Sequence, residues 1–169
     1  MATTPREILI VGLRNAYGLE GQALTTMENV HGRLEHYSEL KIVVGEHIEE
    51  TRGQQQMIAQ CLSRFGETPS TLKEVGMRLM GNVQAMVQGM AEDEVLKNMF
   101  SLYAFEHFEI ACYKSLIAIA EDCGETEVAR VCRQILRQEE TAGRKLEPLI
   151  ASVTRSYLRR EAAGPAASR

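Results

Sequence analysis

Apolar residues recur at every third or fourth position along most of this chain, which is the periodicity of amphipathic α-helices. The pattern is sustained over four long stretches, each interrupted by glycine or by a short polar segment. It predicts an all-α protein with long helices at about residues 5–31, 38–65, 92–122 and from 126 onward.

Local signals indicate where these helices begin. Thr4, Pro5 and Glu7 predict a capping box with proline in the first turn of the first helix. Ser38 is predicted to cap the second helix, and Thr126 the fourth. Short breaks separate the first helix from the second and the third from the fourth, so each pair is expected to form an antiparallel hairpin.

A weaker helical stretch, from Thr71 to about Met90, separates the two hairpins and contains several Gly and Met residues. Two helical hairpins joined by a long crossover are typical of ferritin-like bundles, whereas up-and-down bundles use short loops throughout. We therefore predict one ferritin-like four-helix bundle over residues 1–160, with an extra helix in the crossover. The Ala/Gly/Pro/Ser-rich segment 161–169 is predicted to be a disordered tail.

Polar residues interrupt the inward-facing seam of every long helix. A buried carboxylate without a partner costs several kcal/mol, so these positions require compensation. The seam residues in question are Glu20 on the first helix, His47, Glu50 and Gln54 on the second, Glu106 and Glu109 on the third, and Glu139 on the fourth.

Counting along the helices places these carboxylates at one depth. Glu20 and Glu50 are 30 residues apart across the first turn, and Glu109 and Glu139 are 30 apart across the second. At about 1.5 Å per residue, each carboxylate lies roughly 22 Å from its turn, near the middle of the bundle. Converging carboxylates are most simply neutralised by two divalent cations. Oxygen ligands with one imidazole favour iron or manganese over structural zinc.

Composition argues against several other classes of protein. The net charge of -4 is small and the charges are interspersed, which argues against a nucleic-acid partner. No apolar run approaches the roughly 20 residues of a membrane span, and the first residues lack an export pattern, so we expect a cytoplasmic protein. The four cysteines form no C-x-x-C pair and lie in predicted helices, which favours free thiols over disulfides or a zinc site.

Four segments together carry a family resemblance: residues 15–22, 47–54, 106–113 and 138–140. They resemble the YciE/YciF type of bacterial ferritin-like proteins, and the similarity extends over residues 6–155. The resemblance implies a ferritin-like bundle, a homodimer, a link to bacterial stress responses and a di-metal centre, without an established reaction.

The chain also departs from the ferritin-like pattern. Such proteins generally use Glu-x-x-His on two helices. Here the second helix reads His47-x-x-Glu50, the third reads Glu106-x-x-Glu109, and the fourth offers no histidine. Gly143 stands where the resemblance implies an aspartate. These differences put one of the two metal positions in question.

Alternative roles remain for individual residues. Instead of binding a metal, Glu106 or Glu109 pairs with Arg130 or Arg133 at a helix boundary. His47 either ligates a metal or orients Glu50. Tyr17 and Tyr113, one turn from the carboxylates, fill the core, donate hydrogen bonds or belong to an oxidation path.

At the level of function, the residues favour a non-haem di-iron or di-manganese carboxylate protein. We expect it to act in stress response, metal handling, or O2 or peroxide chemistry. The alternative is a non-enzymatic structural or interaction bundle with a vestigial or single-metal site. The ligands alone do not establish that a reaction is catalysed.

Overall fold

A computed structural model describes residues 3–67 and 94–164 of the chain. Within these residues the chain forms four α-helices and no strands, which confirms the all-α prediction. The helices are α1 (Pro5–Arg33), α2 (Ser38–Ser63), α3 (Glu94–Asp122) and α4 (Thr126–Ala163). No helix in the described part of the chain is long and apolar enough to cross a membrane.

The capping box at the start of α1 is confirmed. The Thr4 hydroxyl accepts a hydrogen bond from the Glu7 backbone N–H at 3.2 Å, and the Glu7 carboxylate accepts one from the Thr4 backbone N–H at 2.7 Å. These two bonds satisfy backbone donors that a helix start would otherwise leave without a partner.

The predicted caps at Ser38 and Thr126 are wrong. Both are the first residues of their helices, and the caps are Tyr37 and Glu125, neither of which makes a side-chain capping bond. Tyr37 is buried in the apolar core, and Glu125 lies 3.6 Å from the guanidinium of Arg6. Both helices therefore begin one residue earlier than the local capping signals indicate.

Two predicted segments lie wholly or partly outside the described residues. The crossover helix expected at 71–90 is one, and residues 165–169 of the predicted tail are the other. Residues 161–163 of that tail belong to α4, which continues through Pro148 to Ala163.

Each helix runs antiparallel to the two helices beside it. α1 packs against α2 and α3, and α4 packs against α3 and α2. The amino-terminal halves of α1 and α4 share a cluster with the carboxyl-terminal halves of α2 and α3. α1 and α4 therefore point one way and α2 and α3 the other, so the 64–93 connection must return the chain to the opposite end, as in ferritin-like bundles.

Apolar residues fill both ends of the bundle, and a polar layer lies between them. We call the cluster at the amino-terminal end of α1 the lower cluster and the other the upper cluster. The buried core of the lower cluster includes Leu9, Leu13, Ile58, Leu62, Tyr113, Leu116, Val128, Cys132 and Ile135. That of the upper cluster includes Met27, Val30, Leu34, Leu40, Val44, Met99, Leu102, Leu146 and Val153.

Two ion pairs attach the ends of the long connection to α1. Arg14 binds the Glu67 carboxylate through two nitrogens, just beyond the end of α2. Arg33, in the last turn of α1, pairs with Glu94 at the start of α3. The Arg33 pair is more exposed and contributes less.

Gly12 allows α1 to approach α3 closely, and this predicts opposite effects for two glycine-to-alanine changes. A Cβ atom at Gly12 would lie 2.7 Å from Cδ2 of buried Leu116, whereas one at Gly53 would meet nothing within 4 Å. Alanine favours a helix by about 1 kcal/mol relative to glycine, so Gly53→Ala should stabilise the protein by about that amount. Gly12→Ala should destabilise it by about 1 kcal/mol because the core cannot absorb the methyl group freely. Urea unfolding measures both, and equal stabilisation would contradict the close contact.

Candidate metal centre

The polar layer contains five of the six residues predicted as metal ligands. Glu20, His47, Glu106, Glu109 and Glu139 are all buried, none more than 4% exposed. Glu50 differs, because 33% of its side chain is exposed at the edge of the layer. Helical periodicity predicted that all six side chains point inward. The structure buries five of them and places Glu50 at the rim of the layer.

His47, Glu106, Glu109 and Glu139 form a close group. Each offers one ligand atom, and these atoms all lie within 4.8 Å of one another. His47 Nε2 lies 3.1 Å from Glu106 Oε2 and 3.5 Å from Glu139 Oε2. In a site with metal–ligand bonds of about 2.1 Å, ligand atoms on opposite sides of the ion are about 4.2 Å apart. The ligand atoms here are already within 4.8 Å, so small side-chain shifts would bring them to bonding distance of one ion.

The hydrogen bonding of the layer is compatible with a bound cation. Several buried polar atoms lack a hydrogen-bond partner within the described structure, although such atoms are normally satisfied. Most are carboxylate oxygens, which can be satisfied only by a hydrogen-bond donor or a cation. The atoms are Glu20 Oε2, His47 Nε2, Thr51 Oγ1, Gln54 Oε1, Glu106 Oε2, Glu109 Oε1 and Glu139 Oε2.

Glu50 contacts the group through His47. Its Oε2 lies 3.2 Å from His47 Nδ1, while His47 Nε2 points to the other carboxylates. A carboxylate behind the second ring nitrogen fixes the tautomer and orientation of a metal-binding histidine. His47 thus directs Nε2 toward the carboxylates of the close group, while Glu50 contacts its other ring nitrogen.

Two neutral donors hold the remaining carboxylate oxygens. The Tyr113 hydroxyl donates to Glu20 Oε1, which was one of its predicted alternatives. Gln54 Nε2 donates to Glu139 Oε1 and also lies 3.3 Å from Gln138 Oε1. The spacing predicted that Gln54 lies in the inward-facing seam of α2, and the structure adds its role as a hydrogen-bond donor to Glu139.

Desolvation dominates the electrostatics of the layer. Burial and the nearby Glu139 raise the pKa of Glu20 to about 8, and burial raises that of Glu106 to about 7. The pKa of Glu109 is also raised, by burial and by the carboxylates of Glu20, Glu139 and Glu106. Burial lowers the pKa of His47, but its contacts with Glu106 and Glu139 outweigh this and raise it to about 11.

The predicted alternative in which arginines neutralise the layer is wrong. Arg130 pairs with Glu127, one turn earlier on its own helix, and Arg133 pairs with Glu121 on α3. These local partners keep both guanidinium groups at the surface.

Gly143 is buried beside the layer. A Cβ atom there would lie 3.9 Å from the Glu106 Cβ atom. An aspartate at this position would therefore have faced Glu106, and glycine leaves the layer with one acid fewer than the resemblance implies.

Comparison with known proteins places this bundle in a family. A family model described as "Domain of unknown function (DUF892)" matches residues 4–159. The chain belongs to this family. The DUF892 domain is 27% identical over 154 residues to Protein YciF of Escherichia coli strain K12, covering 86% of this chain and 90% of that protein. The predicted resemblance to YciE/YciF-type proteins is thereby confirmed.

Solved structures agree on the fold of the DUF892 domain. A crystal structure of a Xanthomonas campestris pv. campestris protein matches with a TM-score of 0.78 and 36% identity, covering 93% of this chain and 97% of that one. The crystal structure of the Escherichia coli stress protein YciF matches with a TM-score of 0.70 and 22% identity, covering 89% of this chain and 96% of that one. A protein from Rhodopseudomonas palustris, described as a putative structural protein, matches with a TM-score of 0.67 and 24% identity. The match covers 86% of this chain and 94% of that one.

The raised pKa values predict that the metal-free protein loses stability as pH rises. Between pH 4.5 and about 8, folded Glu20 holds a proton that it would lose on unfolding, and Glu106 does so up to about 7. His47 favours the folded state below its ordinary pKa of 6.5 and loses this contribution as pH approaches about 11. All three effects have the same sign, so stability should fall by a few kcal/mol between about pH 5 and 9.

Thermal unfolding in the presence of a chelator measures this, and the midpoint should fall by roughly 10 °C over that range. Glu20→Gln should flatten the dependence, whereas Glu140→Gln, at the next position after Glu139, should not. A midpoint that rises with pH would contradict the assigned ionisation of the layer.

Proposed function

We propose that this protein binds iron or manganese in its polar layer and acts as a non-haem di-metal carboxylate protein in a bacterial stress response. The single observation that carries this proposal is the group formed by His47, Glu106, Glu109 and Glu139. Four potential ligand atoms lie within 4.8 Å of one another and are shielded from water. A bound cation would offset the repulsion between the carboxylates and satisfy their unpartnered oxygens.

The donor set favours particular metals. Carboxylates with one imidazole suit iron and manganese, whereas structural zinc sites prefer Cys and His. All four cysteines are free, and none belongs to the close group. Calcium takes oxygen ligands and does not commonly use imidazole, so the His47 contribution argues against it.

A redox-active metal in this layer would supply electron transfer to O2 or peroxide. The residues of the chain itself would hold the ion, set its charge and exclude bulk water. Glu50 would keep His47 Nε2 directed at the metal through its contact with Nδ1, 3.2 Å away. The relative YciF is described as a stress protein, which supports oxidant or metal handling as the setting.

We further propose that the protein is a homodimer of the cytoplasm. Phe100 and Phe108 are 47% and 57% exposed on the outer surface of α3, next to exposed alanines and serines, which is typical of a protein interface. The free thiols suit a reducing compartment. Interspersed charge and the absence of a spanning helix among the described residues give no support to nucleic-acid or membrane partners.

One observation favours a second candidate function, a non-enzymatic structural bundle. Raised carboxyl pKa values and a protonated His47 would bring the layer close to neutral without any metal. A fold neighbour from Rhodopseudomonas palustris carries the description of a putative structural protein.

Metal analysis separates the two functions. Protein produced in medium supplemented with iron and manganese should contain at least about one ion per chain. Glu139→Gln should reduce the content well below that, because the carboxylate is fully buried in the close group. The adjacent Glu140→Gln should retain it, since Glu140 lies outside that group beside Lys114.

Far-UV circular dichroism should show both variants folded. A wild-type protein with well under one ion per chain would support the structural alternative instead.

A further inference from the structure

The two sides of the polar layer are chemically unequal. On the side that faces the upper cluster lie His47 and Glu106, which also line a small cavity of about 10 Å³ with upper-cluster residues such as Leu102. On the side that faces the lower cluster lies Tyr113, itself a member of that cluster, with Gln54 nearby on α2. Glu139 takes part in both sides, through its two oxygens.

On the upper side, His47 Nε2 lies 3.1 Å from Glu106 Oε2 and 3.5 Å from Glu139 Oε2. Within the described residues, none of these three atoms makes a hydrogen bond of good geometry, and neither does Glu109 Oε1. These four residues are the close group, so four of the unsatisfied atoms lie where the ligand atoms converge. Glu20 Oε2 and Gln54 Oε1 are unsatisfied outside that group. A single cation in the close group would satisfy its four atoms.

The lower side already has donors. Tyr113 donates to Glu20 Oε1, and Gln54 donates to Glu139 Oε1. Both donor side chains are fully buried, which prevents them from turning out into solvent. A second cation at this position would have to displace two charge-assisted hydrogen bonds and would find no imidazole ligand.

Resting on the proposed metal function, we propose that the protein binds one cation tightly, through His47, Glu106, Glu109 and Glu139. Tyr113 and Gln54 occupy two of the oxygens that a second cation would need, Glu20 Oε1 and Glu139 Oε1. The second ion therefore binds at least about tenfold more weakly, which corresponds to about 1.4 kcal/mol or more.

Gln54→Glu tests the role of the amide directly. The substitution keeps the size of the side chain, removes its N–H donor and adds a negative charge beside Glu139, so it should create a second cation position. Gln55→Glu is the matched control. Gln55 is the next residue and donates to the Tyr17 backbone carbonyl at 3.3 Å, outside the metal layer.

The experiment titrates Mn²⁺ into metal-free full-length protein by equilibrium dialysis and records electron paramagnetic resonance spectra. Wild type and Gln55→Glu should each bind about one tight ion per chain, with the spectrum of isolated Mn(II). Gln54→Glu should bind about two ions of similar affinity, with a spectrum altered by coupling between neighbouring Mn(II) ions.

Tyr113→Phe provides a second variant if Gln54→Glu does not fold. It removes the hydroxyl that binds Glu20 while keeping the ring in the lower cluster, and it should raise the affinity for the second ion at least several-fold.

Two results would overturn the inference alone and leave the metal function intact. One is a wild type that binds two Mn²⁺ ions with affinities within tenfold of each other. The other is a set of folded variants in which the affinity for the second ion does not change. A wild type that binds no Mn²⁺ would overturn both the inference and the proposed function.

Discussion

The main constraint on this bundle is the burial of four carboxylates and one histidine in a polar layer between two apolar clusters. Water cannot solvate these groups, since Glu20, Glu106, Glu109 and Glu139 are at most 2% exposed. Their charge must be removed by protons, by hydrogen bonds or by a cation. The layer reduces its charge in three ways. The pKa values of buried carboxyl groups are raised, His47 contacts two carboxylates, and Tyr113 and Gln54 donate hydrogen bonds. The arrangement persists because apolar packing above and below fixes the helices that carry it.

Much of the fold and the site was predictable from residue spacing. A helix turns by a constant angle per residue, so Glu20, Glu106 and Glu139 could be placed on the same inward faces as their apolar neighbours. The constant rise per residue gave the common depth of Glu20, Glu50, Glu109 and Glu139. The same reasoning was less decisive for Glu50, because a side chain at the edge of a seam can be inside or at the rim. Its final position depends on how far α2 is rotated about its axis, which spacing does not specify.

Contacts between distant parts of the chain were harder to predict. The hydrogen bond from Gln54 to Glu139 joins residues 85 positions apart on helices that are not consecutive. Which donor meets which carboxylate depends on the packing angle between α2 and α4, and no local pattern encodes that angle. The arginines illustrate a different difficulty. From the sequence, Arg130 was a reasonable partner for a buried glutamate, but in the structure it pairs with Glu127, one turn away on the same helix. A partner on the same helix is available before the bundle assembles, and pairing with it avoids desolvation of the charge.

The attachment of Glu67 and Glu94 to α1 has a consequence for how the two hairpins are aligned. Arg14 and Arg33 are 19 residues apart on one rigid helix, a separation of about 28 Å, and they lie on either side of Glu20 along the chain. Glu67 follows α2, so it is the Arg33–Glu94 pair that links the two hairpins. Their relative height is set mainly by the packing of α3 against α1 and of α4 against α2, and not by the length of residues 68–93. Insertions or deletions in that connection could then accumulate during evolution while the acidic residues of both hairpins stay level with one another.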